Sequence, residues 1–253
     1  MNSEDPSTPY RCAVYFVPAI HSEWWQAGSH WLGRCAASGA SYAPPDIYGV
    51  TPAEFQTCTA DPRRYGWHAT LKAPFSLAAG QNLGTLRSAM RELADSLPAF
   101  EMPRLKVSTL GRFLALRPDG DTSDINATAA ACVKRLHPLA QPLTEAELAR
   151  RRQAPLSPEQ DRSLREWGYP WVFEHFQFHL SLTGALDGVS PTVKTALFQA
   201  AQDRFESLPT CQFAHIALFA EPDAGADFEL IEQMELRQFR DGELLIRQGD
   251  DGD

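Results

Sequence analysis

A chain of 253 residues, 43% hydrophobic and 22% charged, is long enough for one large domain or two small lobes sharing a core, and its composition is ordinary for a soluble globular protein. Its net charge of −9 argues against a general nucleic-acid coat protein, which draws on many Lys and Arg contacts to phosphates. Five cysteines, at 12, 35, 58, 132 and 211, are odd in number and scattered, which reads as reduced thiols in a cytoplasm rather than a disulfide frame or a zinc site.

Met1 to Pro9 is polar and acidic, with no signal-peptide pattern, and these residues and 241–253 read as flexible ends. No apolar run nears the ~20 residues of a membrane helix, so a cytoplasmic location and no membrane partner are expected. Arg11 to Val17 reads as a strand ended by Pro18. His21 to Leu32, with Trp24, Trp25 and Trp31, reads as a short helix packed by aromatic rings. Gly33 to Ile47 reads as a loop. Thr51-Pro52-Ala53-Glu54 has the form of a capping box at a helix start, and Asp61-Pro62 reads as a break.

Beyond it, Arg64-Tyr65-Gly66-Trp67-His68-Ala69-Thr70-Leu71-Lys72-Ala73-Pro74-Phe75 alternates in character like a strand with one buried face. Successive side chains of a strand point to opposite faces, so His68, Thr70 and Lys72 are expected to share one. Leu83, Leu86, Met90, Leu93 and Leu97 follow at helical spacing, then strand-like residues from Leu105 to Arg117. Three helical runs fill 119–170: Thr122 to Leu136, one starting at Thr144 and running into Arg150-Arg151-Arg152, and one from Ser157 to about Trp167. A stretch this long must pack somewhere, and one edge of the site is the expected place.

The second half echoes the first. Phe176-Gln177-Phe178-His179-Leu180-Ser181-Leu182-Thr183-Gly184 again carries His, any residue, then a hydroxyl, with His179, Ser181 and Thr183 on one face. Ser190-Pro191 then caps a helical run through Val193, Leu197, Ala201 and Phe205. The helical runs close alike, with Ser96-Leu97-Pro98 and Ser207-Leu208-Pro209. Strand-like segments follow at Cys211 to Ala220 and Phe228 to Arg237. The two motifs stand about 110 residues apart, an internal repeat of strand, helix, strand.

With these residues the chain resembles the 2H phosphoesterase superfamily, whose members carry two His-x-Thr/Ser motifs in a duplicated fold. The Arg64 to Phe75 stretch, together with Trp167-Gly168-Tyr169-Pro170, is similar to a subfamily of phosphonate-metabolism proteins of unknown function (DUF1045). The likeness runs from about Tyr10 to about Arg240. It implies an α+β class, a duplicated bilobal 2H-phosphoesterase-like fold with two antiparallel-type sheets flanked by helices around a central cleft. The expected organisation is a single bilobal domain with a first repeat at 10–118, a helical insert at 119–170 and a second repeat at 171–240. The activity implied is a metal-independent attack on a phosphodiester, often a cyclic one. The subfamily's association with phosphonates makes a ribose cyclic phosphate a sensible target.

Phosphodiester hydrolysis requires a base for the nucleophile, an acid for the leaving oxygen, and donors for the equatorial oxygens. An imidazole with pKa near ~6.5 serves as base in one form and acid in the other. His68 and His179 are therefore the expected catalytic pair, and Thr70, Ser181 and Lys72 the expected phosphate-binding groups, with no metal and no cofactor. A small phosphorylated substrate, a cyclic phosphate above all, is the expected partner; the net charge weighs against nucleic acid without closing that reading. From Asp61 to Gly120 nine Lys or Arg face five Asp or Glu, so the first motif sits in a locally positive segment.

Other readings stand beside these. A lone strand histidine is more often a satisfied polar residue than a catalyst, and only the duplication lifts His68 and His179 above that. His21, His30, His137 and His215 lack a matching context and read as structural. His175 and His179 have the spacing of helical metal ligands, but the alternation around them argues for a strand. Arg150-Arg151-Arg152 reads as a solvated helix face. Two further functions compete: an RNA-end enzyme acting on 2′,3′-cyclic ends or 2′–5′ linkages, and a non-catalytic module that holds a phosphorylated metabolite.

Overall fold

The computed structural model describes residues 8–153 and 155–238. The first strand, β1 (Arg11–Phe16), carries no charge after Arg11 and is buried from Cys12 onward. A strand with no polar alternation has to be covered on both faces, which places it inside a sheet. Cys12, Val14 and Phe16 face the main core, while Ala13 and Tyr15 face a smaller cluster with Phe219 and Phe228. Helix α1 (Glu23–Leu32) starts at Ser22, whose side chain accepts from the Trp25 N–H, and its three tryptophans are buried as expected. Helix α2 (Pro52–Cys58) starts with the Thr51–Glu54 capping box.

Asp61-Pro62 does not break the chain. It lies in the first turn of helix α3 (Ala60–Tyr65), where a residue without an N–H is tolerated because no intrahelical acceptor stands opposite. The first motif follows, with His68 just ahead of β2 (Ala69–Phe75). Trp67 has no exposed surface and stacks on Phe205 with ring centroids 5.3 Å apart. It fits because α1 carries Gly28 at the contact, where a Cβ would stand 2.0 Å from the indole.

Helix α4 (Leu83–Ser96) is capped by Asn82 and buries Leu86, Met90 and Leu93. The short strand β3 (Phe100–Glu101) leads to a hairpin, β4 (Leu105–Leu110) and β5 (Phe113–Pro118). The insert contains helices α5 (Ser123–Leu136), α6 (Glu145–Arg151) and α7 (Pro158–Trp167), the last two opening on capping boxes at Thr144 and Ser157. The strand expected over Phe176–Gly184 shrinks to β6 (Leu180–Ser181), preceded by a 3-10 turn at Phe173–His175. His175 and His179 therefore share no helix. Helix α8 (Pro191–Phe205) starts at Ser190, and β7 (Gln212–Phe213), β8 (His215–Glu221) and β9 (Glu229–Glu235) complete the described chain. The flexible ends expected at 1–9 and 241–253 lie, apart from Thr8 and Pro9, outside the described residues.

The fold is α+β, with antiparallel sheets of order β2-β1-β8-β9 and β4-β5-β6, a β3-β7 pair, and helices against them. The two repeats interleave in this topology. The larger sheet takes two strands from each repeat, and β6 joins the hairpin of the first. The cause is β1: β2 pairs with one of its edges, and the second repeat supplies β8 for the other.

Candidate active site

The two histidines reach one cavity of about 880 Å3, and Thr70 and Ser181 line it with them. Each ring is held by the same bond. His68 Nδ1 lies 2.8 Å from the Gly66 carbonyl oxygen, and His179 Nδ1 lies 2.8 Å from that of Gln177. A carbonyl only accepts, so Nδ1 carries the proton in both rings, and in the neutral form Nε2 is the free base. Gly66 makes the first of these bonds available. It ends α3 with φ 78°, a left-handed value, and a Cβ there would stand 2.6 Å from the Cβ of Ala36.

The hydroxyls follow two residues behind each ring. Thr70 Oγ1 lies 3.4 Å from His68 Nε2, a long contact. Ser181 sits on β6, which pairs with Ala115 and Leu116 of β5. That short strand is fixed from both sides of its backbone: Trp31 Nε1 donates to the Leu182 carbonyl at 2.8 Å, and the Leu182 N–H donates to Leu114 O at 2.9 Å. Thr183 is used up in this framework, accepting from the Leu114 N–H at 3.0 Å and donating to Gly184 O at 2.9 Å.

Lys72 does not join them. Thr70 pairs with Tyr15 and Lys72 with Val14, so two steps along β2 match one step along β1, the count of a β-bulge. The bulge breaks the alternation and turns Lys72 to the face of Val14, away from the histidine cavity. There the ammonium is buried, lies 4.7 Å from the Phe75 ring centroid, and adjoins a separate small hollow with His137 and Trp167. Burial pushes its pKa down to about 8. The structure thus places Lys72 outside the cavity in which it was expected to bind phosphate.

Burial also dominates the histidines. It pushes His68 down to about 4, opposed by the bond to Gly66 O and helped by the charge of His179. His179 is lowered too, by burial first, opposed by the Gln177 bond and helped by Arg117. The Tyr15 ring lies against His68, with centroids 3.9 Å apart, and Phe113 lies 5.5 Å from His179.

Other residues of the cavity lie outside the two His-x-Thr/Ser patterns, though Arg64 and Tyr169 fall within the longer stretches that carry the family resemblance. Arg11, on β1, and Arg64, on a helix rather than a strand, both bind Glu221, whose side chain has no exposed surface. Arg150, Arg151 and Tyr169 come from the insert, which edges the site as expected, but the arginines face the cavity instead of solvent alone. Four arginines and two acids, Asp61 and Glu221, thus line a cavity in a chain of net charge −9. Past His179 a more apolar hollow of about 470 Å3 continues, with Phe113, Trp171 and Phe176 on its walls. Among the described residues no three His, Cys, Asp or Glu side chains gather where they could hold a metal ion, and no helix is long and apolar enough to cross a membrane.

Comparison with curated proteins finds similarity to ribose 1,5-bisphosphate phosphokinase PhnN of Janthinobacterium sp. (strain Marseille), 41% identical over 195 residues, which are 77% of this chain and 43% of that protein. The protein of the same name from Laribacter hongkongensis (strain HLHK9) is 38% identical over 220 residues, 87% of this chain and 50% of that protein. The chain therefore spans about half the length of the curated relatives it matches. Among solved structures, E. coli LigT complexed with NADP+ aligns with a TM-score of 0.42 at 10% identity, over 90% of this chain and 98% of that one. The family model described as "Protein of unknown function (DUF1045)" matches residues 70–229, more than half of the sequence, and the chain belongs to that family.

Proposed function

We propose that the chain is a phosphoesterase that acts on a small cyclic phosphate or phosphodiester, without a metal or cofactor, by two-histidine general acid–base catalysis. The observation that carries the reading is the matched presentation of two imidazoles. Each is tied through Nδ1 to the carbonyl two residues earlier, which leaves Nε2 free, each lines one cavity, and each has a hydroxyl two residues later that lines it too. A merely structural histidine has no reason to appear twice in this form.

In the proposed reaction one neutral Nε2 takes a proton from water as its oxygen bonds to phosphorus. The other histidine, protonated, gives its Nε2 proton to the leaving oxygen as the P–O bond breaks, so the products are a phosphomonoester and an alcohol. For a cyclic substrate these are two ends of one molecule. Thr70 and Ser181 donate to the non-bridging oxygens, which carry the charge that develops. The family resemblance adds a setting in phosphonate metabolism.

The curated relatives are named as phosphokinases. The phosphate-cradling G-x-x-x-x-G-K-[ST] loop occurs nowhere in these 253 residues, and we infer that a kinase activity of those relatives belongs to the stretch this chain does not match. One observation favours a second reading, the RNA-end 2′,3′-cyclic phosphodiesterase or 2′–5′ ligase-like enzyme: the hollow beside His179 has Trp171 and Phe113 on its walls, which suit a stacked base. A non-catalytic phosphometabolite binder is the third.

A panel of cyclic phosphates, sugar, nucleotide and short oligonucleotide, incubated with wild type, His68→Ala and His179→Ala and followed by phosphorus NMR, separates them. Ring opening of small cyclic phosphates that both variants lose supports the first reading. Preference for oligonucleotides supports the second, and binding with no turnover the third.

A further inference from the structure

The proton-transfer groups occupy one part of a large cavity. The charges acting on His68 and His179 are His179 on His68 and Arg117 on His179. A second group of cations lines the same cavity: Arg11 on β1, Arg64 at the end of α3, and Arg150 and Arg151 at the end of α6. Its volume of about 880 Å3 falls in the range of roughly 300–1,000 Å3 that takes a whole small ligand, not a single phosphate group.

Two of these arginines are fixed before any ligand arrives. Arg11 Nε lies 2.5 Å from Glu221 Oε2, and Arg64 binds the other carboxylate oxygen, which also accepts the Gly225 N–H at 2.8 Å. Arg64 Nε donates to Ala226 O at 3.1 Å, and both guanidiniums lie within 5.8 Å of the Phe228 ring centroid. One carboxylate thus offsets one of two charges.

The insert's pair is less satisfied still. Arg152, the third of the run, is held by Asp161 at 2.6 Å, whereas Arg150 and Arg151 form no ion pair among the described residues. Burial holds the Arg151 guanidinium below its ordinary value, eased by Tyr169 and Glu147 and worsened by Arg11 and Arg150. The C-terminus of α6, with its unpaired carbonyls, gives a reason for basic residues there. It gives none for a half-buried guanidinium that lines a cavity with three others. A partly desolvated cation without a direct ion pair is costly unless an anion completes the site.

We propose that this end of the cavity binds a second phosphate of the substrate, apart from the ester on which the histidines act, with Arg151 as its determining ligand and Arg11 and Arg64 as its fixed wall. The substrate class is then a phosphodiester, cyclic or open, that also bears a phosphomonoester. The proposal rests on the two-histidine reading of the same cavity.

The test is calorimetric binding of two probes, butyl phosphate and 1,4-butanediol bisphosphate, to wild type, Arg151→Gln, Arg152→Gln and His68→Ala. The bisphosphate is expected to bind wild type roughly 10–100-fold tighter, the range of a charge-assisted hydrogen-bonded contact. Arg151→Gln removes that preference while leaving butyl phosphate within about twofold. Arg152→Gln changes neither probe, and His68→Ala weakens both but keeps the preference. Equal affinity of wild type for the two probes overturns the proposal, as does an equal loss of both in Arg151→Gln, which marks a general field and not a site. A bisphosphate preference in a protein that turns over no cyclic phosphate sinks the esterase reading and supports the second site. Turnover without the preference does the reverse.

Discussion

Thr70 and Lys72 stand two residues apart on one strand and face opposite sides of the sheet. The bulge between them sends the hydroxyl to the histidine cavity and the ammonium into packed residues beside Val14 and Phe75. Lys72 is 4% exposed, with its pKa pushed down to about 8, so folding disfavours its charged form. That penalty is present in full below about pH 8 and fades as the pH rises toward the ordinary 10.5 of the unfolded chain. Lys72→Met therefore stabilises the protein at pH 7, by on the order of 1–3 kcal/mol at about 1.4 kcal/mol per pKa unit. The gain shrinks as the pH approaches 10, as followed by urea unfolding at several pH values. Its turnover stays at the wild-type level. A variant less stable at pH 7 and inactive would return Lys72 to the site.

Removing either imidazole tests the pair directly. His68→Ala and His179→Ala each lower kcat/KM by about 10²–10⁴-fold, the range for loss of a general acid or base. Thr70→Ala and Ser181→Ala cost less, about 10–10³-fold, as losses of one donor to a developing charge. The double histidine variant is expected to fall far short of the product of the single losses if the two act as a unit. Folded single variants with wild-type turnover would show that both motifs are structural.

The motifs were legible because their local signals agree. Capping residues at Thr51, Thr144, Ser157 and Ser190 mark helix starts where the structure has them. The apolar stripe of Leu86, Met90 and Leu93 marks a buried helix face. What stayed hidden depends on pairing. No residue type announces the bulge after Thr70, since it arises from register against β1, and alternation alone sends Lys72 to the wrong face. The cross-pairing of the repeats is likewise a choice of partner, made by β1 when it needs a strand on each edge. Helical spacing sets Arg150 and Arg152 about 200° apart, but which side meets the cavity depends on the path of the insert. That path puts Arg150 at the cavity and Arg152 beside Asp161.

Metal dependence gives a third check. If two imidazoles perform both proton transfers, turnover survives prolonged EDTA treatment and gains nothing from added Mg2+, Mn2+ or Zn2+. Activity abolished by the chelator and restored by one divalent ion would require a metal-assisted attack.

The pH profile carries the most information about the pair. In the proposed mechanism productive enzyme has one neutral and one protonated imidazole, so kcat/KM is expected to be bell-shaped with two macroscopic pKa values that belong to the pair. Burial lowers both rings in the free protein, His68 to about 4 and His179 in the same direction. A lowered base pKa means that the protonated form gives way to the neutral one earlier as the pH rises. The optimum of kcat/KM, which reports the free enzyme, is therefore expected on the acid side of the ordinary 6.5. Bound substrate reverses the sign of the shift. A phosphate anion beside the protonated ring favours its charge and raises its pKa, so the kcat profile is displaced to higher pH than that of kcat/KM. His179→Ala removes one limb and leaves a sigmoid governed by His68 alone. The check is a pair of profiles from pH 4 to 9 at constant ionic strength, on wild type and this variant. Coincident kcat and kcat/KM profiles, or a bell that survives in His179→Ala, would assign the titration to other groups.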